Sequence, residues 1–207
     1  MIIRLSDCPP QPWKNGLGST REIAIHPDGA GSADFLWRVS IAEVDSAAPF
    51  SSFPGIDRQI ALLDGNGFTM TLDGDRVHAL TTPFVPFAFA GEAGVTVALV
   101  GGATRDFNLM VRRAKARSNI RIWREAGAYR LDRNVVLLYC AKGQIDVGSE
   151  ALQAGDSWIN SMDNPSPISL HQDAMAFAIH VEPLIQRESA SMARTLFCGT
   201  PSATIRS

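Results

Sequence analysis

The chain has 207 residues, 45% of them hydrophobic and 19% charged, which is enough to bury a sizeable core and excludes a disordered chain. Its formal net charge of −2 hides an uneven spread, because residues 105–133 carry an excess of six positive charges between two acidic segments. No apolar run reaches the roughly 18 to 20 residues of a membrane span, and the first ten residues, with Asp7, Cys8, Pro9 and Pro10, lack the apolar stretch of a signal peptide, so a soluble, cytoplasmic protein is expected.

Alternation of apolar and polar residues recurs along the chain, and no stretch beyond about ten residues keeps a helical period, which predicts an all-β fold. Residues 2–44 supply the first strands. Arg21 and Glu22 take opposite faces of one of them, so at most one enters the interior beside Thr20. Phe35, Trp37, Val39 and Ile41 then form an apolar face opposite Arg38 and Ser40. Turn signals follow at Asp64-Gly65-Asn66-Gly67, Asp73-Gly74-Asp75 and Gly101-Gly102. From Asp106 to Arg113, Phe107, Leu109 and Val111 point one way while Asp106, Asn108, Met110 and Arg112 point the other.

The segment Asp57-Arg58-Gln59-Ile60-Ala61-Leu62-Leu63 returns 75 residues later as Asp132-Arg133-Asn134-Val135-Val136-Leu137-Leu138. Each copy leads through a glycine-containing turn to an apolar strand, Val97 to Val100 in the first and Phe177 to Val181 in the second. Two tandem β-barrel modules are expected, over residues 1–118 and 119–183, with the two Asp-Arg pairs at equivalent strand starts. Residues 184–207 are expected to form a short helix or tail. Without a Pro- or Ser-rich linker, the modules should share an interface. Cys8, Cys140 and Cys198 are too scattered for a disulfide framework or a zinc knuckle and should remain free thiols.

The glycine-bounded strands and Gly-Asp turns resemble the cupin pattern, in which two histidines and a glutamate before a turn glycine hold a metal inside the barrel. Counting seven residues back from Gly65 to the glutamate position reaches Arg58, and the histidine positions fall on or near Ser51 and Phe53. A cation cannot ligate a metal, so no metal and no cofactor are expected there. His26, His78, His171 and His180 show no ligand spacing and no Ser-His-Asp order, and read as structural histidines. Arg58 would instead attract an anion into the barrel mouth, or pair on the surface with Asp57.

The blocks Pro12 to Ile23 (Pro-Trp-Lys-Asn-Gly-Leu-Gly-Ser-Thr-Arg-Glu-Ile), Trp37 to Ala42, Phe50 to Arg58, Phe89-Ala90-Gly91 and Asp106 to Arg112 resemble the HutD/Ves family, in that family's order. The resemblance implies a bicupin, two double-stranded β-helix barrels without the usual metal. It also implies a link either to bacterial histidine utilisation, with a part in sensing or limiting pathway intermediates, or to stress induction.

The ligand-binding candidates are Asn15, Thr20, Arg21, Glu22, Arg38, Ser40, Arg58, Asp106 and Asn108. Asn15 with Gly16 and Gly18 offers an amide and an approachable backbone in a closing loop. Arginines balanced by Asp106 and Glu22 suit a small acidic metabolite that also donates hydrogen bonds, of the formiminoglutamate, formylglutamate or urocanate class. The same groups could instead satisfy one another in a buried network. A sensing or sequestering protein is the leading reading. The alternative is a metal-independent enzyme using Asp106, Glu22 or Asp57 as a general base. Nucleic acid is not an expected partner, since the basic segment has few aromatics, Trp123 and Tyr129 among them, and no recognition helix; it reads as a solvated connection between the modules. No membrane partner is expected, and a homodimer stays open beside a monomer.

Overall fold

The computed structural model describes residues 1–31, 33–160 and 166–184, and among these there is no α-helix. The strands run in chain order as β1 (Ile2–Ile3), β2 (Gln11–Pro12), β3 (Gly18–His26), β4 (Trp37–Val44), β5 (Ile56–Asp64) and β6 (Phe68–Leu72). Then come β7 (Arg76–Leu80), β8 (Phe87–Ala90), β9 (Val95–Leu99), β10 (Thr104–Arg112), β11 (Ala116–Trp123) and β12 (Gly127–Tyr129). The last six are β13 (Val135–Lys142), β14 (Gln144–Val147), β15 (Glu150–Gln153), β16 (Ser157–Ile159), β17 (Ile168–Leu170) and β18 (Met175–Pro183). The expected C-terminal helix or tail lies, beyond Leu184, outside the described residues. No helix among the described residues is long and apolar enough to cross a membrane.

Two barrels result. One sheet in the order β2-β3-β4-β10-β5-β8 faces a smaller one, β7-β6-β9; a second pair, β1-β16-β13-β18-β11 and β12-β17-β14-β15, repeats the plan. The repeat is topological. In the first module β10 lies between β4 and β5, β5 pairs with β8, and β6 lies between β7 and β9. In the second, β18 lies between β11 and β13, β13 pairs with β16, and β14 lies between β15 and β17. Gly65 permits the β5–β6 turn: its φ is +86°, and a Cβ there would stand 2.6 Å from the Ala103 carbonyl oxygen.

The pairing corrects details of the sequence reading. Val97–Leu99 lies in β9, whose counterpart is β17, whereas Phe177–Val181 lies in β18, the counterpart of β10. Asp57 and Arg58 are already inside β5, but Asp132 and Arg133 precede β13, because Asp132 holds a turn through the Asn134 and Val135 amides. Arg133 is exposed there. Residues 2 and 3 do not feed the first module: β1 pairs with β16 of the second, and Arg4 bonds Asp156 at 2.7 Å. Residues 105–133 are no solvated connection, since they include most of β10, the central strand, and all of β11.

The large sheets pack back to back. Val39, Ile41, Phe107, Leu109 and Val111 from the first meet Leu137, Tyr139, Phe177, Ile179 and Val181 from the second in one buried cluster. Gln59 ties the sheets with polar contacts, donating to the Ser118 carbonyl and accepting from the Ile120 amide. Because strand faces alternate, committing Phe107, Leu109 and Val111 to this interface turns Asp106, Asn108 and Met110 into the first barrel. Apolar side chains such as Leu62, Phe68, Met70 and Leu72 fill one end of that barrel. The polar row adjoins this apolar cluster, with Trp13, Ala42 and Phe50 shared between the cluster and the lining around that row.

Candidate functional site

Register fixes the neighbours in the polar row. Across β10, Asn108 stands opposite Ser40 of β4 and Ile60 of β5, while Met110 is flanked by Arg38 and Arg58. Asp106 lies opposite Ala42 and Leu62. In β3 the register slips between Glu22 and Ala24, so Ile23 and Ala24 both join the intermodule core while Glu22 keeps the inner face.

Arg38, Ser40, Arg58, Asp106, Asn108 and Met110 line a cavity of about 490 Å³, within the range of small-molecule sites. Of the nine candidates, Asn15, Thr20, Arg38, Ser40, Arg58, Asp106 and Asn108 line it. Glu22 stands behind this lining, accepting from Arg38 Nε at 2.7 Å. Arg21 points away, donating to the Cys8 carbonyl at 2.9 Å and reaching Glu43 at 3.3 Å, as alternation from Thr20 requires. Asp57 is also outside, bound by Arg113 Nε at 2.6 Å, which removes it as a candidate base and as the partner of Arg58.

Arg58 is only 6% exposed. Its guanidinium carbon lies 4.9, 5.1 and 5.7 Å from the ring centroids of Phe89, Phe50 and Phe53, within cation–π range. Its Nη2 donates to Asn108 Oδ1 at 2.9 Å, and Asn108 Nδ2 donates in turn to Asp106 Oδ1. Within this Arg58–Asn108–Asp106 relay two buried atoms have no partner, Arg58 Nε and Asp106 Oδ2. Burial pushes the Asp106 carboxyl up to about 7, against the opposing pull of the Asn108 hydrogen bond and the Arg58 charge. Burial likewise brings Arg58 down to about 10, offset by Asp106 and reinforced by Arg38.

The rim is a loop carrying Trp13, Lys14 and Asn15, faced by Phe50, Ser51 and Phe53. Trp13 Nε1 donates to Thr20 Oγ1 at 2.8 Å. Gly18 admits the indole, since a Cβ there would stand 2.9 Å from the Trp13 ring and 2.3 Å from the Glu43 carbonyl oxygen. Asn15 spends its side-chain oxygen on the Leu17 amide. Thr20→Val should cost about 1 kcal/mol by unpairing the indole, read by urea unfolding, with Trp13 fluorescence shifted toward that of a looser rim.

Sequence reasoning did not name Trp13, Lys14 and Phe50 individually as lining residues. Their signal was the family-like blocks that contain them. Ser51 and Phe53 line the same cavity as Arg58, with the Phe53 ring 5.7 Å from its guanidinium carbon. The four histidines lie outside the lining: His26 stacks on Trp37, His78 on Phe87, His171 contacts Asp146 at 2.6 Å, and His180 is buried in β18. Among the described residues no three His, Cys, Asp or Glu side chains gather to hold a metal. Two arginines of the basic segment are matched by acids from elsewhere, Arg105 by Asp64, and Arg113 by Asp57 and Glu92.

The HutD family model matches residues 5–178. An uncharacterized 21.2 kDa protein in the hutC 3' region of Pseudomonas putida is 38% identical over 146 residues, 70% of this chain and 76% of that protein. Protein Ves of Citrobacter koseri is 34% identical over 158 residues, 72% of this chain and 73% of its own. Among solved structures, HutD from Pseudomonas fluorescens SBW25 superposes with a TM-score of 0.78 at 30% identity, covering 89% of this chain and 98% of that one. A cupin 2 conserved barrel domain protein from Leptotrichia buccalis, at 9% identity and a TM-score of 0.59 over 88% of this chain and 96% of its own, is similar in fold alone.

Proposed function

The chain belongs to the HutD family, and from that premise we propose that its first barrel binds a small acidic metabolite, without a metal, as a sensing or sequestering protein in histidine utilisation. The observation that carries this reading is Arg58. It is buried in a cavity lining, bonded to a neutral amide and caged by three phenyl rings, so its charge has no contacting carboxylate. A buried cation in that state favours an incoming anion. Lys14 at the rim adds a second cation for a ligand with two carboxylates. Arg58, Ser51 and Phe53, standing near cupin ligand positions, are poor metal ligands. The gene neighbourhood named for the Pseudomonas putida relative supports the pathway, and the formiminoglutamate, formylglutamate and urocanate class fits the charge and the volume.

A thermal-shift panel of urocanate, formiminoglutamate, formylglutamate and glutamate tests it. A true ligand at 100 times its dissociation constant stabilises the fold by about 2.7 kcal/mol. Arg58→Met, which keeps the stem packed against the phenyl rings, should weaken that ligand by about 1.5 to 3 kcal/mol, roughly 10- to 150-fold, by calorimetry. Unchanged affinity would place the site elsewhere.

One observation favours the enzyme reading: Asp106 is a buried carboxyl near neutrality in a cleft, the condition of a general base. Glu22 is engaged by Arg38 and Asp57 lies outside, so Asp106 is the base such an enzyme would use. Incubating each panel member with the protein and following its proton NMR spectrum separates turnover from binding.

A further inference from the structure

The orientation of Asn108 determines what Asp106 can offer a ligand. A guanidinium only donates, so Arg58 fixes Asn108 Oδ1 toward itself and Asn108 Nδ2 toward Asp106 Oδ1. Asp106 Oδ1 is therefore an acceptor, and a proton on this carboxyl belongs on Oδ2, the buried oxygen without a partner. No cation contacts Asp106 directly: Arg58 Nη2 is spent on Asn108 and Arg38 Nε on Glu22.

We propose that the first barrel binds a carboxylate together with one proton, the ligand oxygen accepting a hydrogen bond from protonated Asp106 Oδ2 while Arg58 supplies the counter-charge. This rests on the reading of the cavity as an acid site. With Asp106 neutral, two unpartnered donors, its Oδ2–H and the Arg58 Nε–H, lie buried among the residues that line the cavity, and both suit a group that can only accept. With Asp106 ionised, the same ligand meets a buried like charge and loses a donor. The charged groups facing Asp106 are Arg58 from β5, Arg38 and Glu22 from β4 and β3, and Lys14 from the rim. No histidine lines the cavity, and burial has already moved the Asp106 carboxyl toward neutrality.

The test is calorimetry with N-formyl-L-glutamate from pH 5.5 to 8.5, repeated in buffers of different ionisation enthalpy. The expected result is uptake of close to one proton per ligand at pH 8 and little at pH 5.5, with affinity flat below about pH 6 and falling toward tenfold per pH unit above 7. Asp106→Asn places an amide N–H where the carboxyl O–H stood, and should bind at all pH values with the affinity of the acid form. Asp106→Ala, checked for folding by circular dichroism, should lose binding at least tenfold. Affinity that rises with pH, or no net proton uptake, would overturn the inference and leave the acid site standing. So would a folded Asp106→Asn protein that does not bind. No thermal shift or heat from any acid of the panel at any pH would overturn both.

Discussion

Truncating Phe107 to alanine should cost about 3 to 5 kcal/mol, the range for a large aromatic removed from a closed core. Phe107 is fully buried, with its centroid 5.2 Å from Phe177 in a near-perpendicular arrangement and 5.0 Å from Tyr139, both on strands of the other module. The loss therefore falls on the contact between barrels rather than inside either one. Urea unfolding followed by tryptophan fluorescence and by far-ultraviolet circular dichroism should show one transition, shifted to lower urea in both signals. A second transition appearing only in the variant would mean that each barrel holds its fold alone. A cost below 1 kcal/mol would mean that the interface relaxes around the missing ring.

The same residue shows why the site was legible in the sequence. Phe107, Leu109 and Val111 alternate with Asp106, Asn108 and Met110, and the apolar set can be satisfied only by a second surface. Once the repeat supplies that surface, the polar set must turn inward, and the candidate list follows with it. Alternation gives parity but not direction. Arg21 and Glu22 could be separated only by the register of β3 against β4, where Thr20 opposite Ala42 and Glu22 opposite Ser40 take the inner face.

Other features depend on partners far away in the chain, which a single sequence does not display. Asp57 adjoins Arg58 yet bonds Arg113, 56 residues later, while Arg58, on the opposite face of the same strand, turns inward. Residues 2 and 3 close the sheet of the second module because β16 presents an open edge, and nothing local marks them for it. Matched by its apolar runs, the repeat falls one strand out of step, because an apolar run identifies a buried strand without saying which. The pairing of β10 and β18 with their neighbours settles the equivalence.

Asp106→Asn should make the ligand-free protein gain stability over the native chain as pH rises, by about 4 kcal/mol between pH 4 and pH 8. The folded-state carboxyl lies near 7 against an ordinary value of 3.8, a difference of about three units at 1.36 kcal/mol each. Between those values the folded chain holds a proton that the unfolded chain has released, so this group makes stability fall with rising pH. Below about 4 both states are protonated and above about 7 both are ionised, so its contribution is level outside that window. Asparagine has the same shape and carries no charge, and subtracting the two urea-derived profiles cancels every other titrating group. A difference that is flat across the range would mean that Asp106 ionises like an exposed carboxylate, and proton-coupled binding would fall with it. If the difference does rise, the pH at which it levels off should match the pH at which affinity for N-formyl-L-glutamate begins to decline, because one proton on Oδ2 governs both.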